Sequence, residues 1–259
     1  VYGDRFSDEE GLGGAKGVKG VERIVLDNPP ANSLDIPHLR RILKRLKEIE
    51  RRSDSRAVII SSSRTAVFSS GLDLKAMLCP GRWSTACRII QAEILVYRIV
   101  RTIRNSQMVF IAQLNGGVIG SAVSIAMACD FRLGNQDVWF WMPDPRYGGL
   151  PADGVLDLLS AAAGPGTARR LCLAMERIGA EEALACGCLH RIVDRDALKD
   201  TARYFASEIA VRAPLSLRYT KRILNSSVRI RFPFWKLLHI VVSREMYRRL
   251  REACRQPAA

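Results

Sequence analysis

Three short stretches of this 259-residue chain carry groups at spacings that chemistry can use. Ser70-Gly71-Leu72 closes a loop rich in turn formers and Gly120-Ser121 a glycine loop that follows an extended run, and each opens a helix-like run. The first N–H groups of a helix have no partner within it and point at any oxygen placed ahead of them. If the two loops converge, the amides of Leu72 and Ser121 form a two-donor hole for an oxyanion. The third stretch, Trp141-Met142-Pro143-Asp144-Pro145-Arg146-Tyr147-Gly148-Gly149, sets one acid between two prolines just past an aromatic run. Two readings of Asp144 stand side by side here. Pro-Asp-Pro is good turn chemistry, and prolines that fix φ also hold a carboxylate at a defined reach.

Other polar clusters are less telling. Cys186-Gly187-Cys188 beside His190 offers three candidate ligands at a spacing foreign to zinc sites, so a helix end is the expected reading and no metal is expected. His38, His190 and His239 lie far apart and read as structural or surface residues. Asp73 adjoins the proposed oxyanion donor Leu72 and is another tempting acid.

The elements that must hold these groups follow from periodicity. Val21 to Leu26 reads as a strand stopped by Asn28-Pro29-Pro30, because neither proline can donate to a ladder. Leu39, Ile42, Leu43, Leu46 and Ile49 recur at helical spacing with basic residues opposite. Ala57 to Ile60 is a continuous apolar run, as in a strand buried on both faces. Met108 to Leu114 and Val138 to Trp141 read as further strands, Leu72 to Leu78 and Ser121 to Cys129 as helices. Helices are expected over 155–163 and 167–176, punctuated by Pro165 and Gly166, over 180–186, and through most of the chain beyond 195. Strand, glycine loop and helix thus alternate, which argues α/β architecture with crossover connections.

Composition sets outer limits. Lys and Arg number 40 against 26 Asp and Glu, a net charge of +14 that favours polyanionic partners: nucleic acid, an anionic membrane or a phosphate-rich cofactor such as coenzyme A. No apolar run reaches the roughly 18 residues of a membrane helix. Seven cysteines, an odd number set in apolar stretches, read as reduced thiols and an intracellular setting. Residues 1–17 read as a loose Gly-rich lead-in, and the first residue is Val1, so any address ahead of it is not legible.

The order Asn28-Pro-Pro-Ala-Asn-Ser-Leu34, Phe68-Ser-Ser-Gly-Leu-Asp-Leu-Lys75, Asn115-Gly-Gly-Val-Ile-Gly-Ser121 and Ala128-Cys-Asp-Phe-Arg132 resembles the enoyl-CoA hydratase/isomerase superfamily, the crotonases. Within it the chain is most similar to the mitochondrial Δ3,Δ2-enoyl-CoA isomerases. The resemblance runs from about residue 18 onward. It implies a spiral of ββα turns over 1–194, and a helical C-terminal region over 195–259 for subunit contacts in a homotrimer or a dimer of trimers. It implies acyl-CoA thioesters as ligands, with coenzyme A part of the substrate and no separate cofactor. Leu72 and Ser121 would hold the thioester oxygen. Ser70, Gly71, Leu72, Asp73 and Leu74 would line the coenzyme A channel, and Lys75 would lie near its phosphates; Asp73 is then a structural or channel residue.

Two departures from the family pattern matter. Ser124 stands where hydratases carry Glu, and a serine hydroxyl has no useful basicity near neutral pH. A two-carboxylate addition of water is therefore not expected. At the second acid–base position Asp144 stands for the usual Glu, matched by its spacing to Gly148 and Pro151. One carboxylate and an oxyanion hole suffice for a double-bond shift, so the resemblance implies an enoyl-CoA isomerase of unsaturated fatty-acid β-oxidation in which Asp144 moves a proton from C2 to C4. Trp139, Phe140, Trp141 and Met142 could help supply an apolar pocket that raises its basicity, with some of them ordinary strand core. The alternatives are another crotonase-type acyl-CoA enzyme with weak hydratase activity, or an impaired homologue that binds coenzyme A or RNA through the basic helix Arg40 to Lys47. Nucleic acid is not the expected partner. The mitochondrial matrix is the expected compartment, with the peroxisome as the alternative, although Gln256-Pro-Ala-Ala259 is no peroxisomal signal.

Overall fold

The computed structural model describes residues 19–52 and 54–255; the lead-in over 1–17 and the last four residues lie outside the described residues. Strand β1 (Val21–Leu26) is followed by the Asn-Pro-Pro turn and helix α1 (Ile36–Glu50). Asp35 caps α1, its Oδ1 accepting from the His38 amide at 2.6 Å. The helix buries Leu39, Ile42, Leu43, Leu46 and Ile49 and turns Arg40, Lys44 and Lys47 to solvent, as its periodicity predicts.

Three ββα turns come next. The first is β2 (Ala57–Ser62), β3 (Val67–Ser69), a single-turn α2 (Leu74–Met77) and the long α3 (Arg82–Asn105). The second is β4 (Val109–Leu114), β5 (Gly117–Ile119) and α4 (Ser121–Ala128). The third is β6 (Phe131–Gly134), β7 (Trp139–Trp141), a 3₁₀ turn over Asp144–Tyr147 and α5 (Val155–Cys172). The chain closes with β8 (Ile178–Gly179), α6 (Ala180–Cys186), β9 (Arg191–Ile192), α7 (Leu198–Ala210), α8 (Pro214–Ser226), α9 (Phe234–Val241) and α10 (Arg244–Arg255).

The first strand of each turn enters one sheet and the second strand another. Sheet order is β1-β2-β4-β6-β9, all parallel, and β3-β5-β7-β8, parallel except for β8. The larger sheet is buried on both faces, which explains its unbroken apolar strands. Val58, Ile60, Phe110 and Ala112 face the main core. Ala57, Ile59, Val109 and Ile111 face Ala202, Ala206 and Ile209 of α7.

Two boundaries differ from expectation. The helices expected over 155–163 and 167–176 form one element broken at Gly164, whose φ of 79° and ψ of 159° interrupt the helix ahead of Pro165. The second half ends at Cys172 because the Leu173 and Ala174 amides both turn back to the Arg169 carbonyl, at 2.8 and 3.3 Å, and Met175 takes a positive φ of 54°. The Cys186-Gly187-Cys188 stretch is a helix end, with Gly187 in the left-handed conformation after α6.

Helix α8 is tied to the spiral through a buried cation. Lys221, 6% exposed, donates from Nζ to the carbonyls of Ile103 (2.9 Å) and Met108 (2.7 Å) and to Oδ2 of Asp130 (2.7 Å). The same Oδ2 accepts from the Phe110 amide at 2.7 Å. Removing the ammonium strands one carboxylate and two carbonyls, so Lys221→Met is expected to lower stability by about 3–5 kcal/mol. Adding Asp130→Asn should recover part of that loss. Urea unfolding checks both; a single-variant loss below about 1 kcal/mol would show that the ion pair does not hold α8.

Candidate active site

Strands β3, β5 and β7 run parallel and adjacent, with Gly117 opposite Val67 and Trp139, and Ile119 opposite Trp141. Their carboxyl ends therefore lie side by side. The residues that follow them are Ser70-Gly71-Leu72, Gly120-Ser121 and Met142-Pro143-Asp144, which are the three stretches singled out from the sequence. Ser70, Leu72, Gly120, Ser121 and Asp144 all line one cavity of about 280 Å³.

The two glycine loops touch. Leu34 donates to the Gly71 carbonyl (2.8 Å) and accepts from the Asp73 amide (3.3 Å), so this bridge engages the neighbours of Leu72 and leaves the Leu72 N–H directed away from Leu34. Gly71 has φ +77°, and a Cβ there would lie 2.5 Å from the Ile119 carbonyl oxygen and 3.3 Å from the Ser121 nitrogen. Gly120 has φ +54° and ψ −128°, and its amide is anchored to the Trp141 carbonyl at 2.9 Å. Ser121 then opens α4, whose first amides have no intrahelical acceptor. The Asn-Pro-Pro segment braces this arrangement from behind: Asn32 Nδ2 donates to Ser62 Oγ (2.7 Å), and Ser69 Oγ donates to the Asn32 carbonyl (2.6 Å).

Asp144 is held by its backbone and left free at its carboxyl. Its carbonyl accepts from the Gly149 amide at 2.9 Å, the Pro145 carbonyl accepts from Gly148 at 3.1 Å, and Gly148 takes φ 69° to end the turn. α10 packs on this turn, leaving a Cβ at Gly148 only 3.2 Å from Met246 Cα. The residue is partly exposed, yet its Oδ2 is sealed from solvent and has no hydrogen-bond partner among the described residues. Burial first, and the nearby Asp153 second, push its pKa up to about 7. Turn residue and available acid are thus the same residue.

Two further acids stand close by, and sequence reasoning missed both. Asp153, between Pro151 and α5, accepts from the fully buried Ser124 hydroxyl at 2.6 Å and from the Val155 amide at 3.3 Å. Burial pushes its pKa up, against those hydrogen bonds. Glu93, 4% exposed on α3, lines the cavity with Oε2 unpartnered. Burial, then the charges of Asp153 and Asp144, raise it well above the usual carboxyl range. The expectation that Ser124 leaves a single carboxylate is therefore corrected. Ser124 is occupied as a donor to one acid, and Glu93 reaches the cavity from an unrelated helix. A signal for Glu93 existed: it interrupts the apolar stripe Ile89, Val96, Val100 and Ile103 at helical spacing.

The remaining expected site residues separate. Asp73 caps α2, accepting from the Ala76 amide (2.9 Å) and from Ser33 Oγ (3.1 Å), a structural role. Leu74 lines the cavity, whereas Lys75 is exposed and does not. Of the four aromatic-run residues, Trp141 lines the cavity and donates from its ring to the Met175 carbonyl at 2.9 Å. Phe140 and Met142 are core, and Trp139 faces Arg177, which lies 4.7 Å from its ring and 4.5 Å from that of Trp141. His38 Nδ1 meets the Ser33 carbonyl at 3.1 Å, and His190 Nδ1 accepts from the Arg132 amide at 3.0 Å, so both are structural. The His239 side chain lies outside the described residues. Among the described residues no three His, Cys, Asp or Glu side chains gather as metal ligands, and no helix is long and apolar enough to cross a membrane.

Comparison with known proteins agrees with this geometry. Residues 16–233 match the family model described as enoyl-CoA hydratase/isomerase. The chain is 30% identical to the "Probable enoyl-CoA hydratase echA6" of Mycobacterium leprae, over 80% of each chain. It is 28% identical to the short-chain-enoyl-CoA hydratase of Clostridium acetobutylicum, over 79% of this chain and 77% of that one. The crystal structure of an enoyl-CoA hydratase/isomerase from Mycobacterium paratuberculosis superposes with a TM-score of 0.79 over 90% of this chain and 95% of that chain, at 18% identity, a likeness of fold.

A raised acid has a cost that pH reveals. Because the folded-state value of Asp144 lies above its unfolded one, the protein loses stability as pH rises from about 4 through 7 and the buried carboxyl ionises. Asp144→Asn removes that loss. At pH 8 the variant is expected to be more stable than wild type by on the order of 2 kcal/mol, or about 4–8 °C in Tm. The gap should close toward pH 4. Thermal melts across this range check it, and a gap independent of pH would contradict the raised acid.

Proposed function

The chain belongs to the enoyl-CoA hydratase/isomerase family, and from that premise we propose that it is a Δ3,Δ2-enoyl-CoA isomerase in which Asp144 is the base. The observation that carries this reading is the unpartnered, raised carboxyl of Asp144 beside two touching glycine loops in one apolar cavity. The thioester oxygen of a 3-enoyl-CoA would accept from the Leu72 and Ser121 amides. Those donors stabilise the enolate that forms when C2 loses a proton, and so make that proton acidic. A carboxylate with a pKa near 7 is a far stronger base than one near 4, and is still ionised in about half of the molecules at neutral pH. Returning the proton at C4 yields the conjugated trans-2-enoyl-CoA, with nothing consumed.

The rest of the cavity suits such a substrate. Ile89, Leu237, Val241 and Leu250 give an apolar wall for the acyl chain, and α9 and α10 close the cavity over it. Ser70, Gly71 and Leu74 would flank the coenzyme A arm, with exposed Lys75 beside its phosphates. A homotrimer is part of the proposal, supported by the apolar residues that α8 and α9 present outward, among them Leu215, Ile223 and Leu224, and Trp235 at 80% exposure.

A second reading, addition of water to a 2-enoyl-CoA, is favoured by one observation: Glu93 places another carboxyl group in the cavity, where an acid and a base together could activate water. The hydratase names of the relatives point the same way.

Purified protein is expected to convert 3-hexenoyl-CoA and a longer 3-enoyl-CoA to their conjugated isomers, read by the absorbance of the conjugated thioester. Asp144→Asn should lower kcat by about 10²–10⁴-fold. In wild type kcat/KM should rise with pH through about 7, because the ionised carboxyl is the active form. Unchanged turnover in the variant would remove Asp144 as the base. Hydration of crotonyl-CoA faster than isomerisation would select the second reading.

A further inference from the structure

Glu93 is an odd residue for its place. It lies in the middle of α3, where the neighbouring buried positions Ile89, Ala92, Val96 and Ile99 are apolar. Ile89, one turn earlier, lines the same cavity, so this face of α3 forms the wall of the acyl-chain space where it meets Leu237 and Val241 of α9. A buried polar atom without a partner typically costs about 1–3 kcal/mol, and a leucine or methionine here would avoid it. A structural glutamate would be paired. Glu93 Oε2 is buried with no partner among the described residues, and the residue lines a cavity that a ligand can enter.

Its relation to Asp144 gives it a task. The charges of Asp144 and Asp153 both act on Glu93, so the three acids share one low-dielectric neighbourhood and cannot all ionise together. Asp144, in the 3₁₀ turn at the end of β7, stands next to the oxyanion loops, where C2 of a bound thioester must lie. Glu93 comes from a different element, α3, beside Ile89 of the apolar wall that would hold the chain beyond C3. One acid then gives up a proton while the other takes one.

We propose that Glu93 is the second catalytic acid of this cavity, protonating C4 while Asp144 deprotonates C2. This rests on the isomerase reading of the site. The Asp144 carboxylate takes a proton from C2, and the C2–H electron pair forms the C1–C2 double bond of an enolate whose oxygen is held by Leu72 and Ser121. The oxygen pair then re-forms the C1 carbonyl, the C1–C2 pair becomes the C2–C3 double bond, and the C3–C4 pair takes the proton of Glu93. The enzyme is left with Asp144 protonated and Glu93 ionised, and transfer of that proton from Asp144 to Glu93 restores the starting state. No oxidant, reductant or further reactant enters.

The test separates the two carboxyl groups. In D₂O, Asp144 alone should exchange the C2 hydrogens of a saturated acyl-CoA, read by mass spectrometry. Glu93→Gln keeps the shape and neutrality of the resting acid, and is expected to leave that exchange within about threefold of wild type while isomerisation of 3-hexenoyl-CoA falls at least about 100-fold. Glu93→Asp should restore part of it. In a single turnover of unlabelled 3-hexenoyl-CoA by excess wild-type enzyme equilibrated in D₂O, C4 should acquire deuterium. That second measurement needs no variant, so return of the C2 hydrogen itself to C4 would overturn the proposal even if Glu93→Gln misfolds. Isomerisation by a folded Glu93→Gln within threefold of wild type, or transfer of the C2 hydrogen itself to C4, would overturn Glu93 and leave the isomerase reading standing. A wild type that exchanges C2 but forms no conjugated product would overturn both.

Discussion

Everything at the cavity depends on the parallel pairing of β3, β5 and β7. Each ββα turn delivers its second strand into this small sheet, and parallel neighbours end at the same edge. Three junctions separated by tens of residues in the chain are thereby brought within reach of one ligand. The approach is so close that side chains are excluded at its centre: the space a Cβ would occupy at Gly71 is already filled by the Ile119 carbonyl. The larger sheet, packed on both faces, keeps this edge rigid, which an arrangement of amide donors aimed at one oxygen requires.

The same arrangement carries an electrostatic burden. Three carboxyl groups are buried around the cavity, and two of them belong to lining residues and keep one oxygen without a partner among the described residues. Each is less stable than an apolar residue would be, and their pKa values rise chiefly because burial disfavours the charged form, with neighbouring acids adding to this at Asp144 and Glu93. Ser124 and the Val155 amide fasten Asp153, so its hydrogen bonds orient it while Asp144 and Glu93 remain available. Stability elsewhere is set by ordinary means, such as the apolar sheet faces and the fully engaged ammonium of Lys221.

Much of this was legible in the chain, and the exceptions are instructive. Strands β1, β2, β4 and β7 and helices α1, α4 and α6 stand within a few residues of their periodic patterns, because propensity, burial and turn chemistry agree there. The glycine loops and Asp144 were legible for a related reason: each follows a strand end, and strand ends are marked by Gly and Pro. Glu93 was legible only as a break in an apolar stripe, because it sits inside a 24-residue helix whose contact with the cavity is set by tertiary packing of α3 against α4 and α9. Asp153 was hidden for the complementary reason that its partner Ser124 lies 29 residues away and reads, alone, as the loss of an acid. The aromatic run divided between core and cavity according to strand alternation, with buried Phe140 facing away from the side that Trp139 and Trp141 share.

The central claim is that the fold places a desolvated acid beside two touching glycine loops, and that claim concerns Asp144 before any substrate binds. Carbon-13 NMR titration of protein labelled at aspartate carboxyl carbons measures it directly, with Asp144→Asn assigning the resonance by its absence. That resonance should titrate near pH 7, well apart from the exposed aspartates near 4. If the resonance missing from the variant instead titrates near 4 in wild type, the carboxyl is solvated, and the account of the site as built around a raised base is wrong.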